Sequence, residues 1–160
     1  MLFGFGKSPI PVIRPLRPDK VADCARLHAA EFAHPWSAEE IAALIARSNT
    51  LAAAALSPAS GELRGFVVSR LAADEAEILT IAVEPALRGR GVGRALLSES
   101  LRQAANAGAK SMFLEVDENN APALALYARF DFVKVGERVG YYRRKGGLRA
   151  TAVVMRKSLA

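Results

Sequence analysis

Apolar and polar positions alternate along this chain with two periods, and the switches between them mark out eleven elements. "PVIRPL" reads as a short strand. Val21, Cys24, Leu27 and Phe32 then recur at steps of three, three and five, which predicts a helix with Asp19 placed to cap it. A second helix follows the loop "HPW". Ser37 and Glu40 have the spacing of a capping box, and Ile41, Leu44 and Ile45 form the apolar stripe. "LAAAAL", "LRGFVVSRL" and "EAEILTIAVE" are three strands separated by the turn signals "SPASGE" and "AAD", the pattern of an antiparallel meander. A helix through Leu96, Leu97 and Leu101 stops near Gly108. The strand "SMFLEVD", a helix opening at Asn120 with Pro122 in its first turn, and the closing strands "FVKVGERVG" and "ATAVVMRKSL" complete the chain.

The resulting order, β-α-α-β-β-β-α-β-α-β-β, predicts an α/β fold. It is a mixed, mostly antiparallel sheet with helices on both faces, and a glycine-rich turn joins its middle strand to its main helix. A length of 160 residues suits a single domain. Residues 1–12 are read as an N-terminal extension and 13–160 as the domain.

With 51% hydrophobic and 24% charged residues and no internal repeat, the chain is expected to fold into a packed core. The formal charge of +6 becomes informative only where it clusters. One cluster surrounds the glycines. The other is "RVGYYRRKGGLR", with Arg138, Arg143, Arg144, Lys145 and Arg149. The single cysteine, Cys24, excludes an internal disulfide and falls on an apolar stripe with nothing nearby to lower its pKa, so it reads as core. Two histidines and one thiol offer no ligand set at metal spacing, and no metal is expected. The N-terminal apolar patch is broken by glycine and proline, and no run approaches membrane-spanning length. A cytoplasmic protein without a membrane partner is expected.

The stretch "TIAVEPALRGRGVGRALL" carries the chemistry. Gly89, Gly91 and Gly93 leave backbone N–H groups uncovered at a helix N-terminus, and Arg88, Arg90 and Arg94 surround them, which suits a phosphate or pyrophosphate. A P-loop would need Lys-Ser or Lys-Thr after its last glycine, but Arg94-Ala95 stands there. The dinucleotide fingerprint fails on the sixth position, which is Arg94 or Leu96. The spacing Arg88-x-x-Gly91-x-Gly93 directly after "TIAVEP" instead resembles the R-x-x-G-x-G signature of the GNAT superfamily of N-acetyltransferases. The resemblance implies the GNAT fold, with acetyl-CoA as co-substrate. Arg88, Gly89, Arg90, Gly91, Val92, Gly93 and Arg94 would hold its pyrophosphate, and the backbone of Ile81, Ala82 and Val83 its pantetheine arm. "HPWS", "ILTIAV", "LEVDENNAPALALY" and "YY" before a last strand extend the likeness, from about Ile13, to the RimI-type ribosomal-protein-alanine N-acetyltransferases.

Acetyl transfer from a thioester to an amine needs a neutral amine, a stabilised oxyanion and a proton for the departing thiolate. Glu115 lies among Phe113, Leu114 and Val116, where partial desolvation is expected to raise its pKa and suit it as a general base. The resemblance gives it that role. It assigns Tyr127 as general acid and Asn120, also a natural N-cap, to the CoA arm. At pH 7 an α-amine of pKa ~8 is roughly 10% neutral and a lysine of pKa ~10.4 below ~0.1%, which favours a peptide N-terminus as acceptor. The resemblance implies alanine of a small-subunit ribosomal protein. Trp36, Tyr141 and Tyr142, in loops that shape the acceptor groove in this superfamily, are candidate substrate contacts. Two departures bear on specificity: Asp131-Phe132 replaces the usual Gly-Phe after "ALY", and Arg149-Ala150-Thr151 stands where an acidic residue is common. Two alternatives stay open, an acetyltransferase for lysine or a small amine, and a CoA-sensing or RNA-binding module without turnover. Stable nucleic-acid binding is not expected.

Overall fold

The computed structural model describes residues 10–143, 146–147 and 149–160, with backbone only for Tyr142 and Arg143. Most of the N-terminal extension, and Arg144, Lys145 and Leu148 of the basic segment, therefore lie outside the described residues. So does the side chain of Tyr142.

Seven strands form one sheet in the order β1-β2-β3-β4-β5-β7-β6. They are β1 (Val12–Pro15), β2 (Thr50–Leu56), β3 (Leu63–Ala72), β4 (Glu75–Val83), β5 (Ser111–Asp117), β6 (Val133–Arg143) and β7 (Arg149–Ser158). Every adjacent pair is antiparallel except β4 with β5. The four helices are α1 (Val21–Glu31), α2 (Ala38–Ile45), α3 (Val92–Asn106) and α4 (Ala121–Arg129). The order and mixed sheet agree with the sequence expectation, and β4, followed by α3 through the glycine turn, is the central strand.

Alternation along the strands builds two cores. On one face Val67, Ile78, Met112, Leu114, Val153 and Met155 pack with Leu96 and Leu97 of α3 and Tyr127 of α4. On the other, Phe66, Val68 and Ala82 pack with Val21 and Cys24 of α1 and Ile41 of α2. Each fully buried leucine contributes about 1.5–3 kcal/mol. The side chains of β4 would stay in one phase throughout but for a bulge. Leu79 is an extra residue, with Val68 opposite Thr80 and Ser69 opposite Ile78. Ile78 therefore joins the α3 face, Leu79 and Ala82 the α1/α2 face, and Ile81 and Val83 the α3 face again.

Local chemistry explains where helices begin and end. The capping box of α2 forms as the spacing predicts: Glu40 N–H donates to Ser37 Oγ at 3.1 Å, and Ser37 N–H to Glu40 Oε2 at 2.8 Å. Asp19 does not cap α1. Pro18 opens a 3-10 turn over Pro18–Lys20 that absorbs Asp19, and Lys20 becomes the N-cap without a side-chain hydrogen bond. Phe32 leaves the apolar stripe as the extended C-cap residue, and His28, one turn after Cys24, takes the buried place. After α4, Asp131 adopts the left-handed conformation (φ 64°) that a glycine takes without strain. Phe132 N–H reaches Tyr127 O at 3.1 Å and Asp131 N–H reaches Ala128 O at 3.0 Å, a Schellman closure. The aspartate thus takes a conformation natural to glycine, at a cost in strain.

Candidate active site

Two features of the backbone create the site. The parallel ladder between β4 and β5 covers only Glu75–Glu77 against Ser111–Phe113. Beyond Glu77 the β5 side of β4 has no strand partner, while its other side stays paired, Gly65 with Val83 and Val67 with Ile81. The backbone of Ile81, Ala82 and Val83 thus offers a free ladder edge beside a gap in the sheet.

The gap leads to the glycine turn. Gly89 and Gly91 have φ of 73° and 86°, a conformation costly for residues with a side chain. A Cβ added at either meets nothing within 4 Å, so their Cα atoms face open space. Gly91 is the N-cap of α3 and supplies no side-chain cap. Arg88 N–H bonds to Pro85 O and the helical ladder starts with Ala95 N–H to Gly91 O at 3.0 Å; between them, among the described residues, no N–H from Gly89 to Arg94 makes a backbone hydrogen bond of ordinary length and angle. Uncovered amides, the α3 dipole and the neighbouring arginines fit a diphosphate. Arg88 is also tied to Glu31 at the end of α1, a contact the sequence did not signal. Gly93 differs from its neighbours: its Cα faces Leu126 and Val83, closing α3 onto α4 and β4.

Tyr127 belongs to the α3-face core, 5% exposed, with its ring edge-on to Phe132 at 5.8 Å. Burial pushes its phenol up to about 12, and its hydroxyl makes no hydrogen bond with any described residue. Glu115 alternates with Leu114 and Val116 and so projects from the opposite face of β5. The two candidate proton-handling groups thus lie on opposite faces of the sheet, at the strand that borders the gap. Glu115 is 21% exposed and ion-paired with Arg138 of β6, Nε to Oε1 3.1 Å. The Arg138 guanidinium also lies 4.8 Å from the centre of the Tyr141 ring. Tyr141 stands, 55% exposed, in a bulge of β6 where the register shifts between Arg138 and Tyr142. Glu115, Arg138 and Tyr141 therefore form one contact chain. Asn120 caps α4, accepting from Ala123 N–H at 3.2 Å, as its position predicts.

Trp36 packs, partly buried, against the α1/α2-face core. Its ring stacks on buried His28 at 4.8 Å, its backbone N–H donates to His28 Nδ1 at 3.1 Å, and Phe32 covers the imidazole at 4.2 Å. Burial holds His28 below the usual histidine value, with Glu40 opposing. Cys24 is fully buried and its thiol is raised to about 12, chiefly by desolvation, as a core residue should be. A cleft of about 370 Å³ lies where α1 meets β3, is lined by Asp23 paired with Arg26 and Arg64 paired with Glu84, and holds none of the candidate residues. A cleft of about 260 Å³ lies at the β4–β5 junction and includes Glu115 together with Glu77, a residue the sequence reading did not single out. Among the described residues no three His, Cys, Asp or Glu side chains form a metal site, and no helix is long and apolar enough to cross a membrane.

The family comparison places the chain: residues 21–132 match the "Acetyltransferase (GNAT) family" model. The chain belongs to that family. Among its relatives, the N-alpha-acetyltransferase RimI of Mycobacterium tuberculosis is 39% identical over 140 residues, covering 84% of each chain. An uncharacterised Mycobacterium leprae protein is 38% identical over 91% of this chain, which spans only 40% of that relative's length. The match to the Escherichia coli ribosomal protein bS18-alanine N-acetyltransferase, 34% identical, spans 64% of that enzyme. The crystal structure of the Escherichia coli ribosomal-protein-S18-alanine N-acetyltransferase superposes with a TM-score of 0.85 at 27% identity, covering 94% of this chain and 95% of that one.

Proposed function

We propose that this chain is an acetyl-CoA-dependent N-α-acetyltransferase acting on the N-terminal amine, alanine in the first instance, of a small-subunit ribosomal protein. The observation that carries the reading is the gap in the sheet. It opens beside a turn of uncovered amides, with a carboxylate on one face and a buried phenol on the other. The names of the RimI-type relatives support the acceptor.

Acetyl-CoA, when bound, supplies the activated acetyl group. The amides of Gly89 to Arg94 would hold its diphosphate, the free edge of Ile81–Val83 its amide-bearing arm, and Asn120 the region nearest α4. The acceptor amine approaches from the Glu115 face. Arg138 occupies that carboxylate in the free protein, but its own side chain is 54% exposed and can swing into solvent, so an ammonium can take its place. Glu115, directly or through one water, takes the amine's proton. On the opposite face Tyr127 remains a neutral phenol across the physiological range and can give its proton to sulfur as the C–S bond breaks. The same apolar surroundings that disfavour a phenolate disfavour a thiolate, so the gap between donor and acceptor is narrower than the raised phenol alone would give. The test is incubation with acetyl-CoA and peptides bearing free or blocked N-termini, read by mass spectrometry. Acetyl is expected on free α-amines; acetylation that persists on blocked peptides, or none at all, overturns the assignment.

A further inference from the structure

The cleft at the β4–β5 junction holds two carboxylates besides Glu115, Glu75 and Glu77, that the mechanism above leaves unused. In the parallel ladder Glu77 pairs with Phe113, and Glu115 lies two residues further along β5 on the same face. Both glutamates line the one cleft of about 260 Å³, together with Phe113 and Val154. Each is held by an arginine, one from the adjacent strand and one from the strand beyond β7. Arg70 of β3 meets Glu77, Nη2 to Oε2 3.0 Å, and Arg138 of β6 meets Glu115 at 3.1 Å. Glu75 lines the cleft too, but it pairs with Ser111, one pleat farther from Glu115, and Arg156 stands beside the cleft with its guanidinium 5.8 Å from the Phe113 ring. Glu77 is the more open carboxylate, 43% exposed against 21% for Glu115, and stands where β4 parts from β5.

We propose that Glu77 binds the protonated amine of the acceptor at the mouth of this cleft, delivering it to Glu115. The proposal rests on the function proposed above and adds a specificity-determining residue to it. Most acceptor amines arrive as ammonium ions at neutral pH. An ammonium entering the cleft must find an anion that is not required to take the proton in the same step. Glu77 meets that need because it lies beside Glu115 without being the deeper group, and its pair with Arg70 is exposed enough to exchange. Arg70 is then a competitor for the acceptor's site, which separates this role from that of an ordinary surface ion pair.

Steady-state kinetics with an alanine-initiated peptide and with an N-blocked lysine peptide, on the wild type, Glu77→Gln and Arg70→Gln, decide the matter. Glu77→Gln is expected to raise the KM of whichever amine the wild type accepts by roughly tenfold, with kcat and the KM for acetyl-CoA nearly unchanged. Arg70→Gln is expected to lower the acceptor KM. Glu77→Asp should recover part of the loss. If both substitutions leave the acceptor KM unchanged while lowering Tm alike, Glu77 is only a structural partner of Arg70 and the proposal falls. Activity confined to the lysine peptide would overturn the α-amine assignment but still allow Glu77 to be judged on that acceptor. Inactivity toward both amines overturns the two together.

Discussion

Replacing Gly91 and Gly93 one at a time by alanine separates the two jobs of the glycine turn. At Gly91 (φ 86°) an alanine must enter the left-handed region, at roughly 1–2 kcal/mol. The smaller entropy of its unfolded chain returns roughly 0.5–1 kcal/mol, leaving a net loss near 1 kcal/mol. No atom lies within 4 Å of the new methyl, so packing adds nothing. For a chain of this size that corresponds to a Tm drop of about 2–4 °C. The methyl stands in the open space over the uncovered amides, where the diphosphate would sit, so CoA binding should weaken by much more, at least ~10-fold. At Gly93 the new methyl points inward, 3.6 Å from Leu126 and 3.9 Å from Val83, in ordinary contact and in helical geometry. Gly93→Ala should therefore gain roughly 0.5–1 kcal/mol from helix propensity and keep most of its affinity. Thermal melts with calorimetric titration of CoA read both quantities. Equal losses of affinity in the two variants, or none at Gly91→Ala, would refute the reasoning.

Other consequences follow from single groups. Tyr127→Phe removes a hydroxyl without a hydrogen-bond partner among the described residues, so Tm should barely change while kcat falls ~10²–10³-fold; near-normal turnover would remove the phenol from the mechanism. His28 is held below its usual value, so the unfolded chain takes up the proton first. Its contribution to stability is full above pH ~6.5 and is lost as pH falls from there towards the lower folded-state value, at up to about 1.4 kcal/mol per pH unit. Melts at pH 7.5 and 5.5 should show a smaller acid loss in His28→Phe than in the wild type, and an equal loss would contradict this. Asp131→Gly relieves a left-handed aspartate and should raise stability by about 0.5–1 kcal/mol, measured by denaturant titration; a loss would mean that the carboxylate has a compensating role.

Much of the architecture was legible because hydrophobic period and turn residues agree along this chain. Ser37 and Glu40, Asn120 and the Arg88–Gly93 spacing each specify a local structure through near neighbours, and each forms as read. What escaped the sequence depends on contacts between distant segments. Arg138 reaches Glu115 only because β7 lies between β5 and β6, and Arg70 reaches Glu77 through the β3–β4 register. The bulge at Leu79 decides which side chains of β4 face α3, and nothing in "EILTIAV" announces it. Asp19 failed as a cap because Pro18 drew it into a preceding turn, and the Phe32 spacing concealed the place of His28 on the buried stripe. Such errors are tertiary in origin: periodicity reports which face a residue takes but not what meets it there.

The uncovered amides can be observed one by one. In a ¹⁵N-resolved amide spectrum, the signals of Gly89, Gly91 and Gly93 are expected to shift downfield on titration with CoA and to remain largely unmoved by pantetheine, which lacks the diphosphate. Unmoved glycine signals at saturating CoA, or equal shifts with both compounds, would contradict the claim that this turn holds the coenzyme.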